Sequence, residues 1–258
     1  MRDVAGHAVH FATVGAGASV VMIHCALAKH DGLLPLAKAM GGHVTLFDLP
    51  GHGRSADWDG KADYQSLVVK AAAAFCDGPT HLIGRSFGAT AALRLAVEQP
   101  ELVTRLTLIE PVYFAAAKET PEHAAHAKAF RPFIGAMLQG DEDLAAQIFN
   151  SLWGAQPWDE LPERLRTYLA RRIHLIVAGA APIEEDADGV TSAETLQNLA
   201  IPVTLIRGED TQPVIAAIHA RLADRIPNAT DHVVPGAAHM VPITHAAEVA
   251  KIICRAAR

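Results

Sequence analysis

The most informative segment of the sequence is Leu82-Ile83-Gly84-Arg85-Ser86-Phe87-Gly88-Ala89. Residues 80–83 form a short, apolar, β-prone run, and residues 89–97 carry an apolar pattern with helical spacing. The Gly-x-Ser-x-Gly motif therefore lies where a strand passes into a helix. At such a junction the glycines allow a sharp turn that exposes the serine hydroxyl near a helix N-terminus, which favours negative charge. The pattern predicts that Ser86 is a nucleophile, and the alternative is a helix N-cap.

The composition restricts the classes of protein to which the chain can belong. Half of its 258 residues are apolar, which suits one large core or a core domain with an insertion. A net charge of −6 argues against a nucleic-acid partner, and Cys25, Cys76 and Cys254 lack the spacing of a zinc site. No run resembles a signal peptide or a membrane span. We expect a cytoplasmic protein that acts on a small-molecule substrate, without metal, cofactor or membrane partner, and the oligomeric state stays open.

Strand and helix patterns alternate on both sides of the Ser86 stretch. This alternation predicts an α/β fold with a parallel sheet and right-handed crossovers. The predicted strands are 7–14, 19–24, 44–48, 80–83, 105–109, 201–207 and 231–234, and the predicted helices are 31–40, 64–75, 89–97, 213–226 and 244–256.

The alternation stops after Pro111, and only helical patterns follow as far as about residue 199. We interpret residues 112–199 as a helical cap inserted into a core domain formed by residues 1–111 and 200–258. Many of the aromatic residues lie in this insertion. Trp153 and Trp158 are expected to line an apolar substrate pocket, and packing inside the insertion is the alternative.

Four motifs follow one another in a characteristic order. They are the buried run Val20–His24, the loop Asp48–Ser55, the turn at Ser86 and the segment Pro235–His239. With these motifs the chain resembles the α/β-hydrolase superfamily, in its serine hydrolase branch with a helical cap, over nearly its whole length. The resemblance implies a predominantly parallel central β-sheet flanked by helices, and the chain order serine, acid, histidine. It also implies that His24 and His52 stabilise turns.

The resemblance implies that His239 is the general base, and it offers two places for the acid. Glu110 occupies the end of the strand that follows the helix after Ser86, whereas Asp210 lies near the end of the next strand. An ungapped match puts Thr211 at the second place, so Asp210 needs a shift of one residue. We favour Glu110 slightly and leave Asp210 open. The alternative roles are a counter-ion for Arg85 and a helix cap, respectively.

The oxyanion hole is expected from two backbone N–H groups, those of Phe87 and Ala26. Here the chain departs from the family pattern, because Cys25 follows His24 where members commonly have glycine. We expect Cys25 and Arg85 to contact the substrate at the mouth of the site.

These residues together predict a serine hydrolase that forms an acyl-enzyme on Ser86. The expected substrates are esters, thioesters or lactones of small to medium size and mostly neutral, because no arginine cluster is directed at the site. One alternative is a C–C bond hydrolase of a diketone-like compound, and another is a catalytically silent ligand-binding protein with this fold. Epoxide hydrolase and haloalkane dehalogenase are disfavoured, since relatives with those activities carry aspartate at the position of Ser86.

Overall fold

The computed structural model describes residues 1–256 and confirms the alternation of strands and helices. The strands are β1 Arg2–Val4, β2 His7–Val9, β3 Phe11–Val14, β4 Ser19–Ile23, β5 His43–Phe47, β6 Thr80–Arg85, β7 Val103–Ile109, β8 Val203–Gly208 and β9 Ala229–Val234. The helices are α1 Leu34–Met40, α2 Tyr64–Ala74, α3 Phe87–Glu98, α4 Pro121–Leu138, α5 Glu142–Trp153, α6 Glu163–Ala170, α7 His174–Ala178, α8 Ala180–Glu185, α9 Ala193–Gln197, α10 Pro213–Arg225, α11 Val241–Thr244 and α12 Ala246–Ala256.

A seven-stranded sheet forms the centre of the molecule, with the strand order β3-β5-β4-β6-β7-β8-β9. Only the β3–β5 pair of this sheet is antiparallel, so the predicted, predominantly parallel sheet is confirmed. One apolar cluster fills the space between the sheet and α2, α3 and α10, and a second packs α1 and α12 on the sheet. Because both faces are covered, the central strands are continuous apolar runs rather than alternating ones.

Three predicted elements are divided in the structure. The expected strand 7–14 breaks at His10, because β2 pairs with β1 whereas β3 pairs with β5. The expected helix 31–40 begins as a 3₁₀ turn over His30–Leu33, and α1 follows it with a proline in its first turn. The expected last helix is interrupted at His245, which separates α11 from α12. The local patterns are continuous at all three places, and the tertiary pairing or packing divides them.

Residues 112–199, the helical segment, connect β7 to β8 and carry the helices α4 to α9. No strand lies in this connection within the described part of the chain. A separate apolar cluster joins Phe133, Ala145, Ala170 and Ile173 of the segment to Leu27, which follows β4. The segment therefore rests on a loop at the carboxyl end of the parallel strands. Among residues 1–256, no helix combines the length and the apolar character that crossing a bilayer requires.

Candidate active site

Ser86 lies at the turn between β6 and α3, where the strand ends and the helix begins. Its backbone has φ 52° and ψ −119°, a conformation that is costly for a residue with a Cβ and that is concentrated at functional sites. The Ser86 N–H donates to the carbonyl of Ile109 over 2.8 Å, which ties the turn to β7. The Ser86 side chain does not cap α3, so the N-cap alternative is not realised.

The two glycines of the motif are required by close approach of neighbouring backbone. A Cβ on Gly84 would lie 2.3 Å from the carbonyl oxygen of Gly88. A Cβ on Gly88 would lie 2.4 Å from the carbonyl oxygens of Ile23 and His24. Because backbone rather than flexible side chain occupies this space, larger residues would push the turn away from β4.

The structure brings Ser86, His239 and Glu110 together. His239 Nε2 lies 3.2 Å from Ser86 Oγ, and His239 Nδ1 lies 2.8 Å from Glu110 Oε2. His239 reaches this place from the loop after β9, and Glu110 from the end of β7. Asp210 is not part of the group: its side chain is exposed, and its backbone N–H donates to the carbonyl of Ala237. The geometry thus favours Glu110 over Asp210 as the partner of His239.

The Glu110 carboxylate is buried and held from three sides. The Gly208 N–H donates to Oε1 over 2.7 Å, and the Thr211 hydroxyl donates to Oε2 over 2.5 Å, beside the bond to His239. Glu110 itself adopts a positive φ of 54°, which directs its side chain toward the histidine loop. Thr211, which occupies the second acid position of the resemblance, therefore supports the carboxylate that comes from the other position. Glu110 is not the counter-ion of Arg85.

The environment lowers the pKa of both members of this pair. Burial lowers the pKa of His239, and its bond to Glu110 offsets only part of that effect. Burial by itself would raise the pKa of Glu110, but the hydrogen bonds from His239, Thr211 and Gly208 outweigh it and hold the pKa below its ordinary value. At neutral pH the site therefore holds a neutral imidazole beside a carboxylate, as a general base requires.

Two backbone N–H groups are available beside Ser86. Phe87 is the first residue of α3, and Ala26 lies in the loop after β4; within residues 1–256 neither N–H has an acceptor. His24 and His52 hold this loop, as the sequence predicts. The Leu49 N–H donates to His24 Nε2 over 3.0 Å, and the Leu27 N–H donates to His52 Nε2 over 2.9 Å. Burial lowers their pKa values to about 4 and about 3, so both stay neutral acceptors.

A cavity of about 850 Å³ opens above Ser86 and is enclosed mainly by the helical segment. Its lining is predominantly apolar and includes Cys25, Arg85 and Trp153. The Trp153 ring lies 4.8 Å from the His239 ring, between their centroids. Trp158 is not among the lining residues; it packs into the cluster around Phe133, so packing inside the segment is its role.

The sequence reasoning missed the bonds from Gly208 and Thr211 and two ionisable lining residues, Glu184 and the buried His126. Burial raises the pKa of Glu184 to about 7. A threonine at an expected acid position was the available signal for Thr211. Nothing in the local pattern distinguishes Glu184 from the acidic residues that follow it.

A second polar cluster, Asp48 with His10 and His30, is the group within the described residues whose spacing would suit a metal ion. The Asp48 carboxylate already accepts bonds from both imidazoles and from the backbone N–H groups of His30 and Arg54. These four bonds satisfy the carboxylate and stabilise the loop 48–55. We therefore assign Asp48 a structural role.

With its fold and the geometry around Ser86 described, the chain can be compared with known proteins. The model of an alpha/beta hydrolase family matches residues 20–252, and the chain belongs to this family. It is a hydrolase by class.

The chain is similar to relatives with named activities and to solved structures. The chain is 30% identical over 257 residues to a pimeloyl-[acyl-carrier protein] methyl ester esterase of Methylococcus capsulatus, covering 93% of this chain and 95% of that protein. It is 24% identical over 240 residues to an (E)-2-((N-methylformamido)methylene)succinate hydrolase of Acinetobacter baylyi, covering 91% and 88%. An alpha/beta hydrolase from Sphaerobacter thermophilus superposes with a TM-score of 0.74 at 23% identity, covering 96% and 97% of the two chains.

Proposed function

We propose that the protein is a serine hydrolase of carboxylic ester-like bonds: esters, thioesters or lactones. One observation carries the proposal. Ser86 Oγ lies 3.2 Å from His239 Nε2, and the other imidazole nitrogen lies 2.8 Å from a buried carboxylate, at the base of an apolar cavity. Nucleophile, base and orienting acid within hydrogen-bond reach are the pattern of nucleophilic acyl transfer.

In the proposed reaction Ser86 Oγ attacks the carbonyl carbon while its proton passes to His239 Nε2. The N–H groups of Phe87 and Ala26 donate to the oxyanion of the tetrahedral intermediate. When the bond to the leaving alcohol or thiol breaks, His239 returns the proton to it, and an acyl-enzyme remains. A water that loses its proton to His239 then attacks the acyl carbon and releases the acid and Ser86. Glu110 holds the imidazole tautomer and stabilises the imidazolium.

The cavity supports a substrate with a sizeable apolar part. At about 850 Å³ it lies toward the upper end of the usual size of small-molecule sites. Ile134, Leu138 and Val177 line it and are at the same time well exposed, so they form an apolar mouth. The helical segment acts as its cap in this proposal. The similarity to a methyl ester esterase of Methylococcus capsulatus supports the reaction class.

The test is covalent labelling with a fluorophosphonate, read by intact mass, together with hydrolysis of 4-nitrophenyl esters of increasing acyl length. We expect one adduct on the wild type and none on Ser86→Ala. Slow labelling of Glu110→Gln with normal labelling of Asp210→Asn would support Glu110 as the acid, and the opposite pattern would support Asp210. A folded wild type that takes no label contradicts the proposal and favours a silent ligand-binding protein. Labelling combined with cleavage of a β-diketone and no ester hydrolysis would favour the C–C bond hydrolase.

A further inference from the structure

Arg85 is a buried cation whose polar contacts are all neutral. It is the last residue of β6 and is 2% exposed. Its Nη1 lies 2.9 Å from Cys25 Sγ, and its Nη2 contacts the Met240 sulfur and the carbonyl oxygen of His239. Its Nε is buried and has no acceptor in the part of the chain that the structure describes. A thiol and a thioether are weak acceptors, so the guanidinium is poorly satisfied.

No carboxylate compensates the charge of Arg85 within residues 1–256, since none of the ion pairs there includes it. Glu110, which belongs to the same site, is fully engaged by His239, Gly208 and Thr211. A buried charge without a counter-charge is destabilising, and buried cations in proteins are normally paired. An acidic partner from outside the chain would remove this cost.

The cavity provides access for such a partner. Arg85 lines it beside Ser86, between Cys25 of the loop that carries Ala26 and Met240, which follows His239. Among the described lining residues, Glu184 is the one with a carboxyl group, and none besides Arg85 has a guanidinium or ammonium group. It makes no ion pair with Arg85, and its raised pKa, about 7, leaves it partly neutral. A ligand with a single negative charge at Arg85 would therefore lie in an apolar cavity that contains little other negative charge to repel it.

We propose that Arg85 binds a carboxylate of the substrate, so that the preferred substrate is an ester-like compound with one negative charge close to the scissile bond. A guanidinium donates two parallel N–H groups to a carboxylate, which the sulfur atoms of Cys25 and Met240 cannot match as acceptors. The inference rests on the proposed function for its reaction, and it replaces the expectation of a mostly neutral substrate. Arg85 is thus assigned a role in specificity rather than in proton transfer.

The experiment compares monoethyl esters of succinate, adipate and suberate, which carry one carboxylate, with the corresponding neutral diethyl esters. kcat/KM is measured for the wild type, Arg85→Gln, Arg85→Lys and the matched control Arg164→Gln, which replaces an exposed arginine outside the cavity lining. We expect the wild type to prefer the monoester at one chain length or more. Arg85→Gln should lower that preference by about 30-fold or more, the usual effect of removing one partner of a buried charge pair. Arg85→Lys keeps the charge but not the paired donors, so it should lower the preference less. Arg164→Gln should leave it unchanged.

A binding measurement separates the failure of this inference from the failure of the proposed reaction. Calorimetry on Ser86→Ala should detect the monoester, and Ser86→Ala combined with Arg85→Gln should bind it at least about 30-fold more weakly. If binding depends on Arg85 but the wild type does not turn the ester over, the proposed reaction is contradicted and the carboxylate site at Arg85 is supported. Hydrolysis of both ester series with the same monoester preference in wild type, Arg85→Gln and Arg85→Lys would overturn the carboxylate site and retain the reaction. If Arg85→Gln does not fold by circular dichroism, the Arg85→Lys comparison decides the question.

Discussion

Two histidine–carboxylate pairs in this molecule have almost the same geometry and very different surroundings. His239 Nδ1 lies 2.8 Å from Glu110, and His219 Nδ1 lies 2.9 Å from Asp231. In both pairs the carboxylate contacts Nδ1 and leaves Nε2 for another partner. His239 presents Nε2 to Ser86 and the cavity, whereas His219 Nε2 is buried and has no hydrogen-bond partner among residues 1–256.

The comparison shows that a histidine oriented by a carboxylate is not in itself a catalytic site. The pair at His239 gains its chemistry from the strained turn that presents Ser86 and from the cavity that admits a substrate. The pair at His219 has neither, and it ties α10 to β9. The carboxylates differ as well, since Glu110 is buried with three donors whereas Asp231 is partly exposed. The same interaction serves proton transfer in one place and packing in the other.

The largest effect is expected from Ser86→Ala. Loss of the nucleophile should reduce kcat for ester hydrolysis by roughly 10⁴- to 10⁶-fold, the range found when a serine of this kind is removed. The His239–Glu110 bond does not involve Ser86, so the thermal unfolding midpoint should change little. Steady-state kinetics and calorimetry check both statements. A residual activity within tenfold of wild type would mean that another group is the nucleophile.

The second largest effect distinguishes the His239–Glu110 pair from the His219–Asp231 pair. Glu110→Gln should reduce kcat by about 10⁴-fold, because the amide no longer holds the imidazole tautomer or stabilises the imidazolium. Asp231→Asn, the matched change in the other pair, should leave kcat within about threefold of wild type, since surface-facing changes away from the site are usually small. Equal losses in both variants would contradict the division of roles between the pairs.

The pH dependence of the wild type tests whether His239 acts as a neutral base beside Glu110. Only neutral His239 accepts the serine proton, so kcat/KM should rise with pH through the pKa of His239. Burial lowers that pKa, and therefore the midpoint of the acidic limb should lie below the ordinary value of 6.5. Since Glu110 raises the pKa of His239, the residual activity of Glu110→Gln should have its midpoint at a still lower pH. A midpoint above 6.5 in the wild type would contradict the burial of a neutral base.

The smallest effect is a change of stability in Asp231→Asn. Loss of the charge-assisted bond to His219 should lower the free energy of unfolding by about 1 kcal/mol, or the melting midpoint by about 2–4 °C. Burial alone would raise the pKa of Asp231, but the bond to His219 outweighs it and holds the pKa below 3.8. A carboxyl with a lowered pKa stabilises the folded state above its unfolded pKa, and this contribution is lost as the pH falls through the folded pKa. The difference between wild type and variant should therefore decrease as the pH falls below 3.8, as chemical denaturation at a series of pH values from 7 downward would test.

The histidine of the last loop is predicted by the resemblance to the family, whereas the amino-acid sequence alone predicts the sheet and the turn at Ser86. These features depend on neighbours in the chain: apolar runs, helical spacing, and glycines whose small size the turn requires at 84 and 88. A local pattern is sufficient to predict these features because the residues that form the strand, the turn and the helix are neighbours in the sequence.

Three features of the site required the tertiary structure: which acid meets His239, what surrounds Arg85 and which tryptophan lines the cavity. Each depends on where side chains from distant segments point, and a shift of one residue at the end of a strand reverses that direction. Glu110 meets His239 across 129 positions of the chain, whereas Asp210 turns to the surface. Trp153 faces the cavity, whereas Trp158 packs away from it. Sequence patterns predict the elements, but the contacts between remote elements set which side chains share a site.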